Sequence, residues 1–375
     1  MHTPFPFPTA LQARPGVTIG AAKGGALQGM TQMLDRLGLA SAVDLNETRV
    51  GLHLALKDAV SACVAPGGDT LQIAARLGPL EAPGASALER EILATLLASP
   101  LALAFPDWGE FESAVRTRQY IAEAAACTQL AFDTRAIERP QDCWTYSEDL
   151  GFTIRPGVPL IEALARTTQP APAGPRYAFS CYRATEYVIL LGLAQELARS
   201  NPALLQRLQQ RWERKAIMSG AFHEAFLVEH GSIDQPVPAR HYVPGDRVWF
   251  RNPDAVSSDV SGYEGSWVIY LGRGLFSNFW QPGAPYTLER KCLEVFHWRH
   301  GVFVDDAGEP QMDEDAVSDG VQRSLVASEE AQAIVERMMR VRDPKGVYAE
   351  GGCIDASREH PRFVRPGTTD ICLDV

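Results

Sequence analysis

The sequence contains no uninterrupted apolar run that is long enough to cross a membrane. Such a run needs about 18 or more residues, and none exists although 46% of the 375 residues are hydrophobic. The N-terminal segment Met1–Pro8 lacks both a basic start and an apolar core, so it does not have the pattern of a secretory signal. We therefore expect a protein that is cytoplasmic as made and has no membrane partner, and we leave leaderless export open.

The chain also contains fewer basic residues than acidic residues. The chain has 35 Lys and Arg against 46 Asp and Glu, and its net charge is −11. Because phosphate binding needs a basic surface, we expect no nucleic-acid partner. The segment Asp305–Asp319 is rich in acidic residues but lacks the spacing of a calcium loop, which is typical of a solvated linker.

The seven cysteines include no Cys-x-x-Cys pair, so neither a zinc ribbon nor a redox motif is indicated. We expect no metal and no cofactor, and reduced thiols in most positions. Cys181 differs from the other six because it follows Ser180, a good N-cap residue, and precedes the apolar run Tyr182–Arg199. This pattern predicts a buried helix with a thiol in its first turn.

A thiolate at that place would face the positive end of the helix dipole and unpaired backbone N–H groups. Both should lower the pKa of Cys181, and the same N–H groups can hold the oxyanion of a tetrahedral intermediate. We interpret Cys181 as a nucleophile for acyl transfer through a thioester. The alternative is a small buried side chain without chemistry, which is our interpretation of the other six cysteines.

The sequence predicts an α+β fold in three regions. Residues 1–110 form a helical N-terminal region, in which Leu27–Leu39, Val50–Cys63 and Ala87–Ala98 show helical spacing. Residues 111–304 form the catalytic region, and residues 305–375 form an acidic linker, a charged helix and an irregular tail. After the Cys181 helix, three runs predict an antiparallel meander: Arg247–Phe250, Trp267–Leu271 and Leu275–Phe279.

Five segments occur in an order and spacing that carry a resemblance: Trp144, Pro156–Leu164, Tyr177–Cys181, Gly245–Pro253 and Val268–Gly272. From Arg116 to Gly301 the chain resembles the small bacterial protein-glutamine γ-glutamyltransferases (transglutaminases) of the spore coat. These in turn resemble the papain-like (NlpC-like) cell-wall peptidase superfamily. The resemblance implies a papain-like core, in which a buried helix that starts at the cysteine packs on a short antiparallel sheet.

The resemblance also implies the chemistry. Cys181 would take the acyl group of an accessible glutamine on a protein substrate, and a lysine or small amine would accept it. Lysine is scarce in this chain, with five residues: Lys23, Lys57, Lys215, Lys291 and Lys345. An enzyme that joins glutamine to lysine benefits from few lysines of its own, although genomic base composition is the simpler explanation.

The chain departs from the family pattern at three positions. The family has a glutamate directly before its cysteine, where this chain has Ser180. The family has a second glutamate at the head of the second strand, where this chain has Ser266. The family histidine after the start of the third strand falls on Asn278. Glu264 lies two residues before Ser266 and would share its face if the strand extends that far.

The general base must therefore come from another residue. Glu264 is our first candidate, since partial burial would raise its pKa toward the range that base catalysis needs. Asn278 would orient the partner or donate to the oxyanion. Ser266, His241 and His297 also stay open as candidates.

We expect a transglutaminase that crosslinks proteins, or deamidates them if water attacks the thioester. One alternative is a papain-like amidase or peptidase on cell-wall or other peptides, which the missing histidine disfavours. Another is a non-catalytic scaffold with a degenerate site. The regions outside the resemblance suggest a specialised protein, such as a secreted effector or toxin with an inhibitory partner protein.

Overall fold

The computed structural model describes residues 14–21, 25–48, 50–80, 86–133, 138–217, 219–341 and 352–373, which form an α+β fold. The helices are α1 (Ala26–Arg36), α2 (Asp58–Val64), α3 (Ile73–Arg76), α4 (Ala87–Leu97), α5 (Trp108–Cys127), α6 (Leu160–Thr168), α7 (Cys181–Ser200), α8 (Pro202–Trp212), α9 (Ser219–Phe226), α10 (Ala255–Ser258), α11 (Leu288–Gly301), α12 (Glu314–Val326) and α13 (Ser328–Met338).

In the described residues, the strands fall into one four-stranded sheet, one six-stranded sheet and three two-stranded pairs. They are β1 (Gly16–Gly20), β2 (Val43–Thr48), β3 (Gly51–Leu56), β4 (Ala102–Phe105), β5 (Ala131–Phe132), β6 (Trp144–Ser147), β7 (Gly151–Ile154), β8 (Ala178–Phe179), β9 (Leu227–His230), β10 (Arg247–Arg251), β11 (Gly265–Gly272), β12 (Leu275–Phe276), β13 (Tyr286–Thr287), β14 (Val302–Val304), β15 (Pro310–Met312) and β16 (Arg358–Pro361). In the described residues, no helix combines the length and the apolar character that a membrane crossing requires.

The N-terminal region is not wholly helical as predicted, because it contains the sheet β2-β3-β1-β4. The segment Val50–Cys63, for which we predicted a helix, contains β3 and all of α2 except its last residue. The side chains of Leu52, Leu54 and Leu56 are all buried and alternate with period two, which is the periodicity of a strand. The helical spacing at 27–39 and 87–98 is confirmed by α1 and α4.

Helix α7 is the centre of the core, and almost every residue from Ala184 to Leu197 is buried. Helix α5 packs against it at a close approach, since a Cβ on Gly192 would lie 2.5 Å from Ile121 Cγ1. Helix α5 begins at Trp108, one residue after its N-cap Asp107. The boundary that we predicted at residue 110 therefore falls in the first turn of α5.

The six-stranded sheet has the order β13-β12-β11-β10-β16-β9. The predicted meander is confirmed, since β10, β11 and β12 pair antiparallel in succession, but the third strand ends at Phe276 and not at Phe279 as predicted. The predicted irregular tail is wrong for residues 358–361, which form β16 between β10 and β9. Residues 302–312 contain the hairpin β14–β15 where we predicted a linker after 304. The C-terminal region is thus part of the sheet on which α7 lies.

Candidate active site

Local structure places Cys181 at the first position of α7. Strand β8 pairs in parallel with β5 and leads directly into the helix. The Oγ atom of Ser180 accepts a hydrogen bond from the backbone N–H of Arg183 at 3.3 Å, so Ser180 is the N-cap that the sequence predicted. Cys181 is half-buried and lines a cavity. Because the helix behind it is fixed in the core, the position of the thiol is also fixed.

The Cys181 sulfur lies against strand β11. Burial has the largest effect on the thiol and raises its pKa above the usual value. Backbone N–H groups of Trp267 and Tyr182 donate to the sulfur and lower the pKa, as do the charges of Lys291 and Arg247. The net direction is upward, so the lowered pKa that we predicted from the helix terminus alone is wrong. The two backbone N–H donors and the two cations nevertheless favour the thiolate form of Cys181 against the effect of burial.

Arg247 is a buried cation behind Cys181. Its side chain is fully buried, and its guanidinium carbon lies 4.0 Å from the ring centroid of Trp267 and 4.3 Å from that of Tyr182. Its Nη1 lies 3.1 Å from Oε2 of Glu359 on β16. The ring contacts and the ion pair together keep a positive charge in this desolvated place.

The cavity in front of Cys181 has a volume of about 150 Å³. Its lining combines aromatic rings, carboxylates and cations, and comprises Phe132, Cys181, Gly262, Tyr263, Gly265, Ser266, Asn278, Trp280, Gln281, Tyr286, Arg290, Lys291, Glu294, Trp298, Glu314, Val317, Ser318 and Val321. Phe132 and Trp280 pack edge to face with ring centroids 5.2 Å apart. These two rings therefore form an aromatic part of the cavity wall.

The structure does not bring Glu264 into this cavity. Strand β11 begins at Gly265, so the strand does not extend to Glu264 as its assignment required. The Glu264 side chain is exposed, and its Oε1 accepts from the backbone N–H of Gly262 at 3.4 Å within the same turn. Ser266, by contrast, is buried and lines the cavity. The family glutamate position therefore faces the site but holds a hydroxyl.

Asn278 lines the cavity, but its amide is engaged in the loop that follows β12. Its Nδ2 donates to the carbonyl oxygen of Ala284 at 3.0 Å. Its Oδ1 accepts from the backbone N–H groups of Trp280 and Gln281 at 3.3 and 3.2 Å. The side-chain amide of Asn278 therefore holds the loop that carries Trp280. The second N–H of this amide is the group that can donate to a ligand in the cavity.

Neither of the two histidine candidates lines the cavity. His241 is buried elsewhere, and burial lowers its pKa to about 4. His297 lies on α11 with its Nε2 2.8 Å from Oγ of Ser324 on α12, and burial likewise lowers its pKa to about 4. In the part of the chain that the structure describes, the cavity lining contains no imidazole.

Comparison with known proteins identifies the class of enzyme. The family model for protein-glutamine gamma-glutamyltransferase matches residues 72–372, well over half of the chain. The chain belongs to this family. It is an acyltransferase that acts on protein glutamine and an amine acceptor. The matched range extends beyond both ends of the Arg116–Gly301 segment on which we based the resemblance.

A solved structure similar to this transferase is "Transglutaminase from Geobacillus stearothermophilus (without C-terminal extension)". The identity is 18%, the match covers 58% of this chain and 98% of that chain, and the TM-score is 0.38. None of the curated proteins compared with the chain matches it.

The sequence interpretation of this transferase missed Lys291 and Glu294, which line the cavity from α11. Their side chains form an ion pair, with Nζ 3.1 Å from Oε1. One signal was present, since a lysine is rare in this chain and an (i, i+3) Lys–Glu pair places both groups on one helix face. In the described residues, no group of three or more His, Cys, Asp or Glu side chains could hold a metal ion.

The raised pKa of Cys181 predicts slow alkylation of the free transferase. Below the pKa, the reactive thiolate fraction falls about tenfold per pH unit. We expect iodoacetamide to modify Cys181 more slowly than the exposed Cys63 at pH 7, and the rate to keep rising above about pH 8.5, the usual thiol value. Peptide mass spectrometry of both sites across pH measures this. A Cys181 rate that is already constant at pH 7 would contradict the prediction.

Proposed function

We propose that Cys181 is the nucleophile of this transferase. The proposal is supported by one observation above all: the Cys181 sulfur lies at the head of α7, accepts backbone N–H donors and opens into the aromatic-walled cavity. A thiol nucleophile needs a fixed position, donors and positive charge near its sulfur, and room for an acyl group. This environment has all three, although burial raises the pKa of the thiol. The other cysteines of the described residues do not line this cavity.

In the proposed reaction, the Cys181 thiolate attacks the side-chain carboxamide carbon of a glutamine. The C–N bond breaks, ammonia leaves, and an acyl thioester remains on Cys181. A lysine ε-amine or small amine then attacks the thioester, the C–S bond breaks and an isopeptide forms. The walls of Phe132 and Trp280 favour amine over water because they reduce the water near the thioester. Crosslinking is therefore the proposed outcome, and deamidation is the side reaction.

We also propose that the core is papain-like. The support is the packing of the first turn of α7 on β11 of an antiparallel sheet, with the nucleophile at the contact. A papain-like peptidase activity has less support, because such enzymes pair the thiolate with an imidazolium. A role as a secreted effector and an inhibitory partner protein also stay proposals, which rest on the altered site.

The proposed function is tested with a glutamine-containing protein, a fluorescent primary amine and the purified transferase. We expect covalent fluorescence on the protein and one ammonia released per amine incorporated. Ammonia without fluorescence would indicate deamidation as the main reaction. Cleaved peptide bonds without either product would contradict the proposal and favour the peptidase alternative.

A further inference from the structure

The cavity of this transferase contains the thiol of Cys181, but strand β11, which faces the thiol, contributes no carboxylate to the lining. The head of β11 contributes Ser266, whose hydroxyl is a poor proton acceptor near neutral pH. Among the described residues, the carboxylates that line the cavity are Glu294 and Glu314, and both come from the helices beyond the sheet. A proton acceptor for acyl transfer is therefore available only from that side.

Glu294 is held in the cavity by two donors. Lys291 lies one turn earlier on α11, and its Nζ is 3.1 Å from Oε1 of Glu294. The hydroxyl of Tyr286 also hydrogen-bonds to Glu294, and burial keeps the pKa of this hydroxyl well above its usual value, so it stays a donor. The side chain of Glu294 is 22% exposed. This carboxylate is thus fixed, partly desolvated and open to the cavity.

Lys291 is an unusual residue in this chain, because its side chain is only 3% exposed. Lysine is almost never buried unless it is paired. Its Nζ lies 3.8 Å from the ring centroid of Tyr286, in addition to the ion pair with Glu294. Its charge acts on Cys181 and lowers the pKa of the thiol against the effect of burial. The same lysine therefore acts on the thiol through its charge and binds the carboxylate of Glu294 in an ion pair, and all three groups line one cavity.

Glu314 is a weaker candidate for proton transfer. It lies at the start of α12 and is exposed, and its Oε1 accepts from the hydroxyl of Tyr263 at 2.7 Å. Exposed charges are screened by solvent, so the position of this carboxylate is less suited to proton transfer inside the cavity. The charged or titratable groups around Glu294 in the cavity lining are Cys181, Tyr263, Tyr286, Arg290, Lys291 and Glu314.

We propose that Glu294, held by Lys291 and Tyr286, is the carboxylate that accepts and returns protons during acyl transfer at Cys181. It would replace, from α11, the carboxylate that the head of β11 lacks. This inference rests on the proposed role of Cys181 as the nucleophile. Lys291 is a positioning residue that orients the carboxylate and stabilises the thiolate.

One carboxylate is enough to balance the proton transfers in both halves of the reaction. Glu294 accepts the proton of the Cys181 thiol and then gives it to the nitrogen that leaves as ammonia, while the C–N bond breaks. In the second half, Glu294 takes a proton from the attacking amine as the new C–N bond forms. It returns that proton to the sulfur when the C–S bond breaks. The enzyme ends in its starting state, and no further reactant is needed.

The test compares two isosteric substitutions, Glu294→Gln and Glu264→Gln, with Glu309→Gln as an exposed control. We expect E294Q to reduce kcat/KM for amine incorporation by about 10²–10⁴-fold, the usual contribution of general acid–base catalysis. E294D should recover part of the activity, because it restores a carboxylate. Loss of activity in E264Q, with E294Q unchanged, would overturn the proposal in favour of the strand-head glutamate.

Three further measurements separate chemistry from folding. Thermal unfolding of each variant shows whether the fold is retained. The alkylation rate of Cys181 should fall in Lys291→Met, since the cation that favours the thiolate is lost. In E294Q, kcat/KM should rise with the thiolate fraction of Cys181 throughout the neutral range, because no carboxylate accepts the thiol proton. An unchanged pH profile in a folded E294Q would overturn the proposal. If a Cys181→Ala variant stays active, the proposed function itself fails, whatever E294Q does.

Discussion

Substituting Cys181 with alanine is expected to abolish amine incorporation, with a loss of at least roughly 10⁴-fold, as for other enzymes that lose their nucleophile. The thioester cannot form without the sulfur, and Ser180 is already engaged as the N-cap of α7. The fold should be retained, because the change removes one atom from a half-buried position. Fluorescent-amine incorporation and the mass of the acyl-enzyme, trapped with a glutamine peptide alone, measure the effect.

Cys63→Ala is the matched control, since Cys63 is an exposed thiol outside the cavity. It should incorporate amine at the rate of the unsubstituted enzyme. Cys181→Ser adds a second comparison that keeps a hydroxyl in place of the thiol, and we expect it to be nearly as inactive. Incorporation by C181A at the rate of C63A would refute the assignment of the nucleophile.

The second large effect concerns stability. Asp246 and Arg118 form an ion pair of 2.6 Å with side chains that are 4% and 7% exposed. The Asp246 carboxylate also accepts from the backbone N–H of Val243 at 2.8 Å. We expect Asp246→Ala to lower the free energy of unfolding by about 3–5 kcal/mol, because a buried guanidinium loses its counter-charge. Urea unfolding monitored by tryptophan fluorescence measures this.

Glu162→Ala is the control for the stability measurement. Glu162 pairs with Arg166 at 3.7 Å, but both side chains are about half exposed, so the loss should be under about 1 kcal/mol. The double variant Arg118→Met/Asp246→Asn should recover part of the loss of D246A, because no buried charge is left unpaired. A D246A variant as stable as E162A would show that the pair does not anchor α5 to the turn before β10.

Sequence reasoning succeeded where structure depends on neighbouring residues in the chain. The start of α7 at Cys181 follows from the side chain of Ser180 and the apolar run behind it. The turn at Gly272–Gly274 follows from its two glycines, which tolerate positive φ and have φ values of +95° and +74°, whereas Arg273 between them has a φ of +55°. Both features are fixed by a few adjacent residues, so their sequence signals are strong.

Sequence reasoning failed where the structure or the pKa of a residue depends on partners from distant segments of the chain. Residues 358–361 show no strand periodicity of their own, and β16 forms because β9 and β10 pair with it on both sides. Glu294 could not be placed near Cys181, because more than 100 residues separate them and only the packing of α11 brings them into one cavity. The pKa of Cys181 was misjudged because helix position can be inferred from sequence, whereas desolvation cannot.

The place of β16 has a consequence for synthesis of the enzyme. Glu359 pairs with Arg247 behind the thiol, so the support of the site is completed by a segment that leaves the ribosome after Cys181 and after the other strands of this sheet. The sheet of a nascent chain is incomplete until this segment is inserted between its two neighbours. The arginine behind the thiol therefore gains the counter-charge of Glu359 only after this segment has joined the sheet.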